Sequence, residues 1–373
     1  MTETSTEIQN KILAFINRYS DTNSTFQSNS DFNEAALTLF NYQFQNNLPF
    51  RKYAQSKRKS PLLVKKWEDI PLMPIQGYKQ LTLSTTPITK DESVFMSSGT
   101  TDPTHRSRNY HPVFNVWDAS MKYPFKQYVL PDRSKMTILG LFPSAITNSN
   151  SSLSRYVSKA IDYFGDSKSH VFVNENGMDY QGIVSALNEA QTHRYPVMLL
   201  GASFSYIHLL DYLKENNLTF KLPKDSRLFD TGGFKGQSRS ISPEKLFQTF
   251  QDTFNIDRAH YINMYGMTEI CSQCYDQNLF DFYHQVPINY TKKAPAWVRI
   301  QILDTNTLKP LPNGKPGLIA YYDLSNWNSC LAILTEDMSV QNSTGFRLLG
   351  RIQGAEAKGC SIAVDQLLQA NQN

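Results

Sequence analysis

The chain has 373 residues, 40% hydrophobic and 12% aromatic, enough for one large domain or one large and one small. Its net charge is only +4, and the short basic run Lys57-Arg58-Lys59 reads as a solvated face, so no nucleic-acid partner is expected. No run of about 18 apolar residues exists, residues 1–9 lack signal-peptide character, and Cys271, Cys274, Cys330 and Cys360 do not make a disulfide framework. A cytoplasmic protein without a membrane span is expected.

Two helices open the chain. Ile8, Ile12, Phe15 and Ile16 repeat at helical spacing over 5–19, and Leu37, Phe40 and Phe44 do so over 31–48. Asp31 with Glu34 reads as a capping box opening the second helix. Residues 50–90 read as connecting sequence, broken by Pro61, Pro71, Pro74 and Pro87. Short apolar strands follow at 137–142, 170–174, 196–200, 227–229 and 261–264. Between them lie helical patterns near 151–164, 179–192, 204–216 and 243–254, with Gly165 as a helix stop. This alternation predicts an α/β fold with a mostly parallel sheet flanked by helices. From 297 the chain turns β-rich, with strands at 298–303, 317–322 and 331–335, and Asn313-Gly314 in a turn. A tail over 341–373 ends in a helix near 364–370. The domain expectation is a helical segment over 1–90, a core over 91–340 and a short C-terminal module over 341–373.

Ligands of parallel sheets bind beyond the carboxyl ends of the strands. Two motifs fall at such places. Ser97-Ser98-Gly99-Thr100-Thr101 is a hydroxyl-rich turn whose small residues let backbone N–H groups approach an anion. Tyr265-Gly266-Met267-Thr268-Glu269 sets an aromatic ring, a hydroxyl and a carboxylate at a strand end. Tyr265 can stack on adenine, Thr268 can bond an α-phosphate, and Glu269 can hold Mg²⁺ through oxygen. Gly232 and Gly233, after another strand, allow close approach to a flat ring. Asp337, read at the end of a strand, can accept both ribose hydroxyls. Cys271 and Cys274 form a lone C-x-x-C without further metal ligands, and no G-x-S-x-G elbow exists.

The order of these motifs resembles that of adenylate-forming enzymes. Within them the chain is similar to the acyl-protein synthetases of bacterial bioluminescence, the LuxE-type long-chain-fatty-acid–protein ligases. The likeness runs from Asp69-Ile70-Pro71-Leu72-Met73-Pro74 through Thr231-Gly232-Gly233-Phe234-Lys235 and Pro295-Ala296-Trp297-Val298 to Lys358-Gly359-Cys360-Ser361. It implies an adenylate-forming N-terminal domain with a truncated C-terminal module. It implies ATP and Mg²⁺, a fatty acid substrate and an acyl reductase (LuxC-like) partner. Ser97, Ser98, Gly99, Thr100 and Thr101 match the phosphate loop, and Arg106 or Arg108 stands in for the lysine that usually follows it. Gly232, Gly233 and Tyr265 match the adenine site, with Gly266 a further cofactor-binding position, Thr268 and Glu269 match the phosphate and metal positions, and Asp337 and Arg351 the ribose and nucleotide contacts. Cys360 matches the cysteine that carries the acyl thioester. Gly359 and the terminal position are expected to give that thiol freedom to move. The rival readings are an acyl-CoA or aryl-CoA ligase of the phenylacetate-CoA-ligase type and a non-catalytic subunit of a reductase complex.

Overall fold

A computed structural model describes residues 3–20, 29–89, 93–99, 104–232, 242–352 and 358–372. Thr100, Thr101 and Gly233 lie outside the described residues. The chain opens with helices α1 (Ser5–Arg18), α2 (Asn29–Asn46) and α3 (Leu48–Ser56). Then come β1 (Met73–Pro74), α4 (Gly77–Gln80), the hairpin strands β2 (Ser93–Met96) and β3 (Arg108–His111), and α5 (Asn115–Tyr128). The alternating stretch holds β4 (Thr137–Leu141), α6 (Ser152–Phe164), β5 (His170–Val171), β6 (Val173–Asn174), β7 (Gly177–Met178), α7 (Tyr180–His193), β8 (Val197–Ala202), α8 (Ser203–Glu215), β9 (Arg227–Thr231), α9 (Pro243–Phe254) and β10 (Tyr261–Tyr265). It is followed by β11 (Cys274–Asp276), α10 (Asn278–Tyr283) and β12 (Lys292–Lys293). The chain closes with β13 (Val298–Leu303), β14 (Pro316–Asp323), β15 (Ala332–Gln341), β16 (Phe346–Arg351) and α11 (Lys358–Gln372).

These elements group into two compact units. One comprises residues 1–121, 268–273 and 293–373, and the other 122–267 and 274–292. In the second unit, β5, β4, β8, β9 and β10 lie side by side and parallel, and β11 runs antiparallel along β10. Both faces are covered. Leu228 points into a core with Ile183 and Leu187 of α7, Tyr206 and Leu209 of α8, and Phe250 and Phe254 of α9. Its neighbour Phe229 points the other way, against Tyr156 of α6 at 5.4 Å and Phe125 of α5 at 6.0 Å. A strand buried on two faces reads as a continuous apolar run, which is why β4 and β8 are visible in the sequence. Gly165 ends α6 in extended backbone; a Cβ there would sit 2.6 Å from Ile161 O.

In the first unit, β13, β14, β15 and β16 form an antiparallel ladder. The short β1 runs parallel along the start of β15. Helix α11 packs its buried Ala363 and Leu367 inward; a Cβ on Gly77 of α4 would meet Leu367 at 2.9 Å. Asn371 donates to Pro49 O at 3.3 Å, which fixes the end of α11 against α3.

The structure corrects three expectations, two of them in the N-terminal segment. The capping box sits at Thr4 and Glu7, ahead of α1. Asp31 lies inside the first turn of α2 and instead pairs with Arg18 at 3.1 Å and accepts from the Tyr19 hydroxyl. Residues 48–56 are helical rather than connecting: the Asn47 side chain accepts from Phe50 N at 3.2 Å and Pro49 occupies the first turn, where a missing N–H costs nothing. Thr335-Glu336-Asp337 is also not a strand end, because β15 continues to Gln341 against β16.

Candidate active site

In the first unit, the hairpin of β2 and β3 carries the hydroxyl-rich loop. Its base is buttressed by Phe95, whose ring lies 4.7 Å from His111 and 5.6 Å from Trp117. Ser97 N donates to Ser107 O at 3.1 Å, and Ser107 N donates to Ser97 Oγ at 3.0 Å. Arg106 Nε donates to Ser97 O, so this cation braces the loop from below. Gly99 has φ of +69°, the left-handed turn that glycine adopts without strain.

The second motif is divided by the boundary between the units, which falls between Met267 and Thr268. Its Thr268-Glu269 half belongs with the hairpin. Asn109 on β3, 1% exposed, donates Nδ2 to Thr268 O at 3.0 Å. Glu269 is 6% exposed. Its backbone is gripped by Asn326, which donates Nδ2 to Glu269 O at 3.2 Å and accepts from Cys271 N at 2.8 Å.

Asn326 lies in Asp323-Leu324-Ser325-Asn326-Trp327-Asn328-Ser329-Cys330, a polar loop buried throughout its length. Asp323 accepts from Cys271 N at 3.2 Å, and from Ser272 N, Ser272 Oγ and Ser325 N at 2.8 Å each. Burial outweighs these donors and raises the Asp323 carboxyl to about 6. Asn328 donates to Tyr110 O of β3 at 3.0 Å and accepts from Thr85 Oγ1 at 2.8 Å. Gln43 of α2 fixes the loop itself, donating to Asn326 O at 2.7 Å and accepting from Leu331 N at 3.0 Å. The loop thus sets the register of both motif segments. Sequence reading passed over it because such residues normally mark surface turns. The available signal was eight residues between two strands with neither glycine nor proline.

Asp337 and Arg351, far apart in sequence, are register partners across β15 and β16. Their side chains meet, with Nε 3.5 Å from Oδ1. Cys360 lies in the first turn of α11; its side chain is outside the described residues. Gly359 is not a free pivot. It is buried, its N–H donates to Thr305 O at 2.9 Å, and a Cβ there would lie 2.5 Å from that oxygen. The glycine serves close approach, and the expected freedom is replaced by a docked backbone.

In the second unit, Gly232 turns the chain after β9 with φ of +78°. Beneath it Asp230 accepts from Ser203 Oγ at 2.8 Å, Tyr261 OH at 3.0 Å and Asn263 Nδ2 at 3.1 Å. Burial raises its carboxyl to about 6 against these donors. Lys292 Nζ donates to Asn263 Oδ1 at 2.7 Å and pairs with Asp276 at 2.9 Å. Thr231 Oγ1 donates to Met264 O at 3.2 Å. These bonds tie the glycine turn to β10, whose last residue, Tyr265, is buried; Gly266 follows it. Cys271, Cys274 and Cys330 are free thiols and buried, and burial pushes the Cys271 thiol well up. Among the described residues no group of three or more His, Cys, Asp or Glu is arranged to hold a metal.

A family model described as acyl-protein synthetase, LuxE, matches residues 4–369. The chain belongs to this family. It is 24% identical over 347 residues to the long-chain-fatty-acid–luciferin-component ligase of Aliivibrio fischeri, covering 89% of this chain and 87% of the relative. The Vibrio harveyi protein of the same name is 23% identical, covering 89% and 86%. Among solved structures, 2-hydroxyisobutyryl-CoA ligase in complex with 2-HIB-AMP and CoA superposes with a TM-score of 0.61 at 12% identity, over 86% of this chain and 70% of that one. The same ligase in its postadenylation state gives 0.61 at 13%, over 86% and 68%. The chain spans 47% of the ATP-bound RpMatB-BxBclM chimera B3, with a TM-score of 0.48 and 15% identity. The superpositions on 2-hydroxyisobutyryl-CoA ligase give the fold as the α/β fold of that adenylate-forming enzyme, and by its family this chain is a ligase. No helix among the described residues is long and apolar enough to cross a membrane.

Proposed function

We propose that this LuxE-family ligase uses ATP to activate a long-chain fatty acid and carries the product as a thioester on Cys360. A carboxylate oxygen of the fatty acid attacks the α-phosphorus of ATP, and the bond to the bridging oxygen breaks. Acyl-adenylate and pyrophosphate result. The Cys360 thiolate then attacks the acyl carbonyl, the carbon–oxygen bond to AMP breaks, and AMP leaves with the electron pair. The acyl group is delivered from there to an acyl reductase, a LuxC-like partner. A reducing cytoplasm suits a thiol carrier.

The observation that carries this reading is the Asn109–Thr268 hydrogen bond, which joins strand β3 of the hairpin to the Thr268-Glu269 segment inside one unit. On this reading Ser97, Ser98, Gly99, Thr100 and Thr101 hold phosphate oxygens. Thr268 donates to the α-phosphate, where negative charge develops. Gly232, Gly233 and Tyr265 take the adenine ring, Gly266 is a further cofactor-binding position, and Asp337 and Arg351 make the ribose and nucleotide contacts. Glu269 and Thr268 offer the oxygen donors a hard cation takes, and Mg²⁺ is commonly held by one or two carboxylates with substrate phosphates. When bound, Mg²⁺ neutralises phosphate charge.

The test is incubation with ATP, Mg²⁺ and labelled fatty acids, followed by intact-protein mass measurement and pyrophosphate exchange. One acyl adduct per chain is expected. Thr268→Ala and Glu269→Ala are each expected to lower exchange by roughly 10²–10³-fold. Wild-type exchange in either variant would remove that residue from the site. Efficient transfer to free CoA without an adduct would assign the chain to the CoA ligases instead.

A further inference from the structure

Residues 51–66 contain seven Lys or Arg and no Asp or Glu, more positive charge than the +4 of the whole chain. They run through α3 and the turn that leaves it. That turn closes on Ser60, whose carbonyl accepts from Leu63 N at 3.0 Å and Val64 N at 2.9 Å. Val64 is buried at 2% and anchors the turn, whereas Leu62 and Leu63 are 82% and 68% exposed. Arg58, Lys65 and Lys66 are exposed around them. The acids next in sequence are Glu68 and Asp69, and Asp365 is exposed beside Gln366 on α11; Asp69 lies 3.2 Å from Lys59 in an exposed pair. Lys57 Nζ donates to Gln366, which brings α11 against the same segment. One turn earlier on that helix, Ile362 is 53% exposed.

Two large aliphatic side chains held out on a tight turn beside cations need an explanation. A protein partner is the weaker one. Protein interfaces favour Tyr, Trp and Arg and are depleted in Lys. Here five of the seven cations are Lys, and the aromatic Tyr53 is buried at 2%. A bilayer surface suits the arrangement better. Apolar tips enter the boundary between headgroups and acyl chains, and long cationic side chains reach anionic headgroups. We propose that the Leu62-Leu63 turn with its flanking cations is a docking site for anionic lipid bilayers, on which the protein lies without spanning. The proposal is independent of the adenylation chemistry.

The test is co-sedimentation of the purified full chain with vesicles of phosphatidylcholine and phosphatidylglycerol in equal parts, against vesicles of phosphatidylcholine alone. Retention on the anionic vesicles only, reduced by added salt, is expected. The double variant Leu62→Ser/Leu63→Ser and, separately, Lys65→Gln/Lys66→Gln should each lower the partition coefficient by about tenfold, with wild-type melting temperature. No retention, equal retention on both vesicles, or wild-type retention by both double variants would overturn the proposal. So would binding to a polyglutamate resin without binding to vesicles, which would assign the surface to an acidic protein.

Discussion

Asn109 on β3 donates its side-chain amide to Thr268 O at 3.0 Å, across 159 positions of sequence. One buried hydrogen bond thus holds two motifs that a linear reading can only list. Asn109→Ala is expected to cost about 1–2 kcal/mol of stability. Because Thr268 would lose its register, carboxylate-dependent pyrophosphate exchange should fall about 10- to 100-fold in the still-folded variant. Thermal melting and exchange assays on one preparation check both. Full exchange would make the bond purely structural.

Asn326 grips Glu269 from the other side, and its accepting and donating hydrogen bonds can be separated. Asn326→Asp keeps an acceptor for Cys271 N and loses the donor to Glu269 O and Cys330 O. The Mg²⁺ concentration needed for half-maximal exchange should rise several-fold, more than the fall in maximal rate. Asn47→Ala is the control, since Asn47 donates to Ser329 O of the same loop without touching Glu269. A Mg²⁺ curve shifted equally in both variants would reduce Asn326 to a fold-holding role.

The Asp323 carboxyl gives a pH signature. Its folded-state value is raised by burial from 3.8 to about 6. Between those values the folded state binds more protons than the unfolded state, so this carboxyl's contribution falls as pH rises through the window. The stability difference between wild type and Asp323→Asn should therefore shrink by roughly 2 kcal/mol from pH 4 to pH 7. Asp230 titrates in both proteins and cancels. Urea unfolding at several pH values measures the difference; a flat one would show that Asp323 stays charged.

Gly359→Ala tests the docking of α11. The new Cβ would lie 2.5 Å from Thr305 O and 2.9 Å from Leu308 Cδ2, so the first turn must shift. On the proposed reading, acyl label on Cys360 should drop about tenfold or more while pyrophosphate exchange stays near wild type. Equal loss of both would tie this helix to adenylation as well.

The parallel stretch was legible chiefly through β4 and β8, which are buried on both faces. Val197, Met198, Leu199 and Leu200 are all fully buried, and such runs are hard to mistake. The α3 helix was hidden because Pro61, Pro71, Pro74 and Pro87 make residues 50–90 read as connecting sequence, although all four lie beyond its end at Ser56. The sequence placed Asp337 and Arg351 in one proposed role, and the ladder sets them side by side. It could not reveal Asn109, Asn326 or Asn328. A buried asparagine is identical in sequence to a surface one, and only long-range hydrogen bonds distinguish the two. Nor did it reveal that Gly359 is packed, since close approach to Thr305 depends on a fold contact 54 residues away in the chain.

The most direct measurement of the central claim uses Cys360→Ser with ATP, Mg²⁺ and a labelled long-chain fatty acid. Pyrophosphate exchange is followed alongside hydroxylamine-sensitive label on the protein. Adenylation precedes thioester formation, so exchange should persist at near wild-type rate while stable label disappears. Label retained by Cys360→Ser, mapped to Cys271, Cys274 or Cys330, would contradict the account.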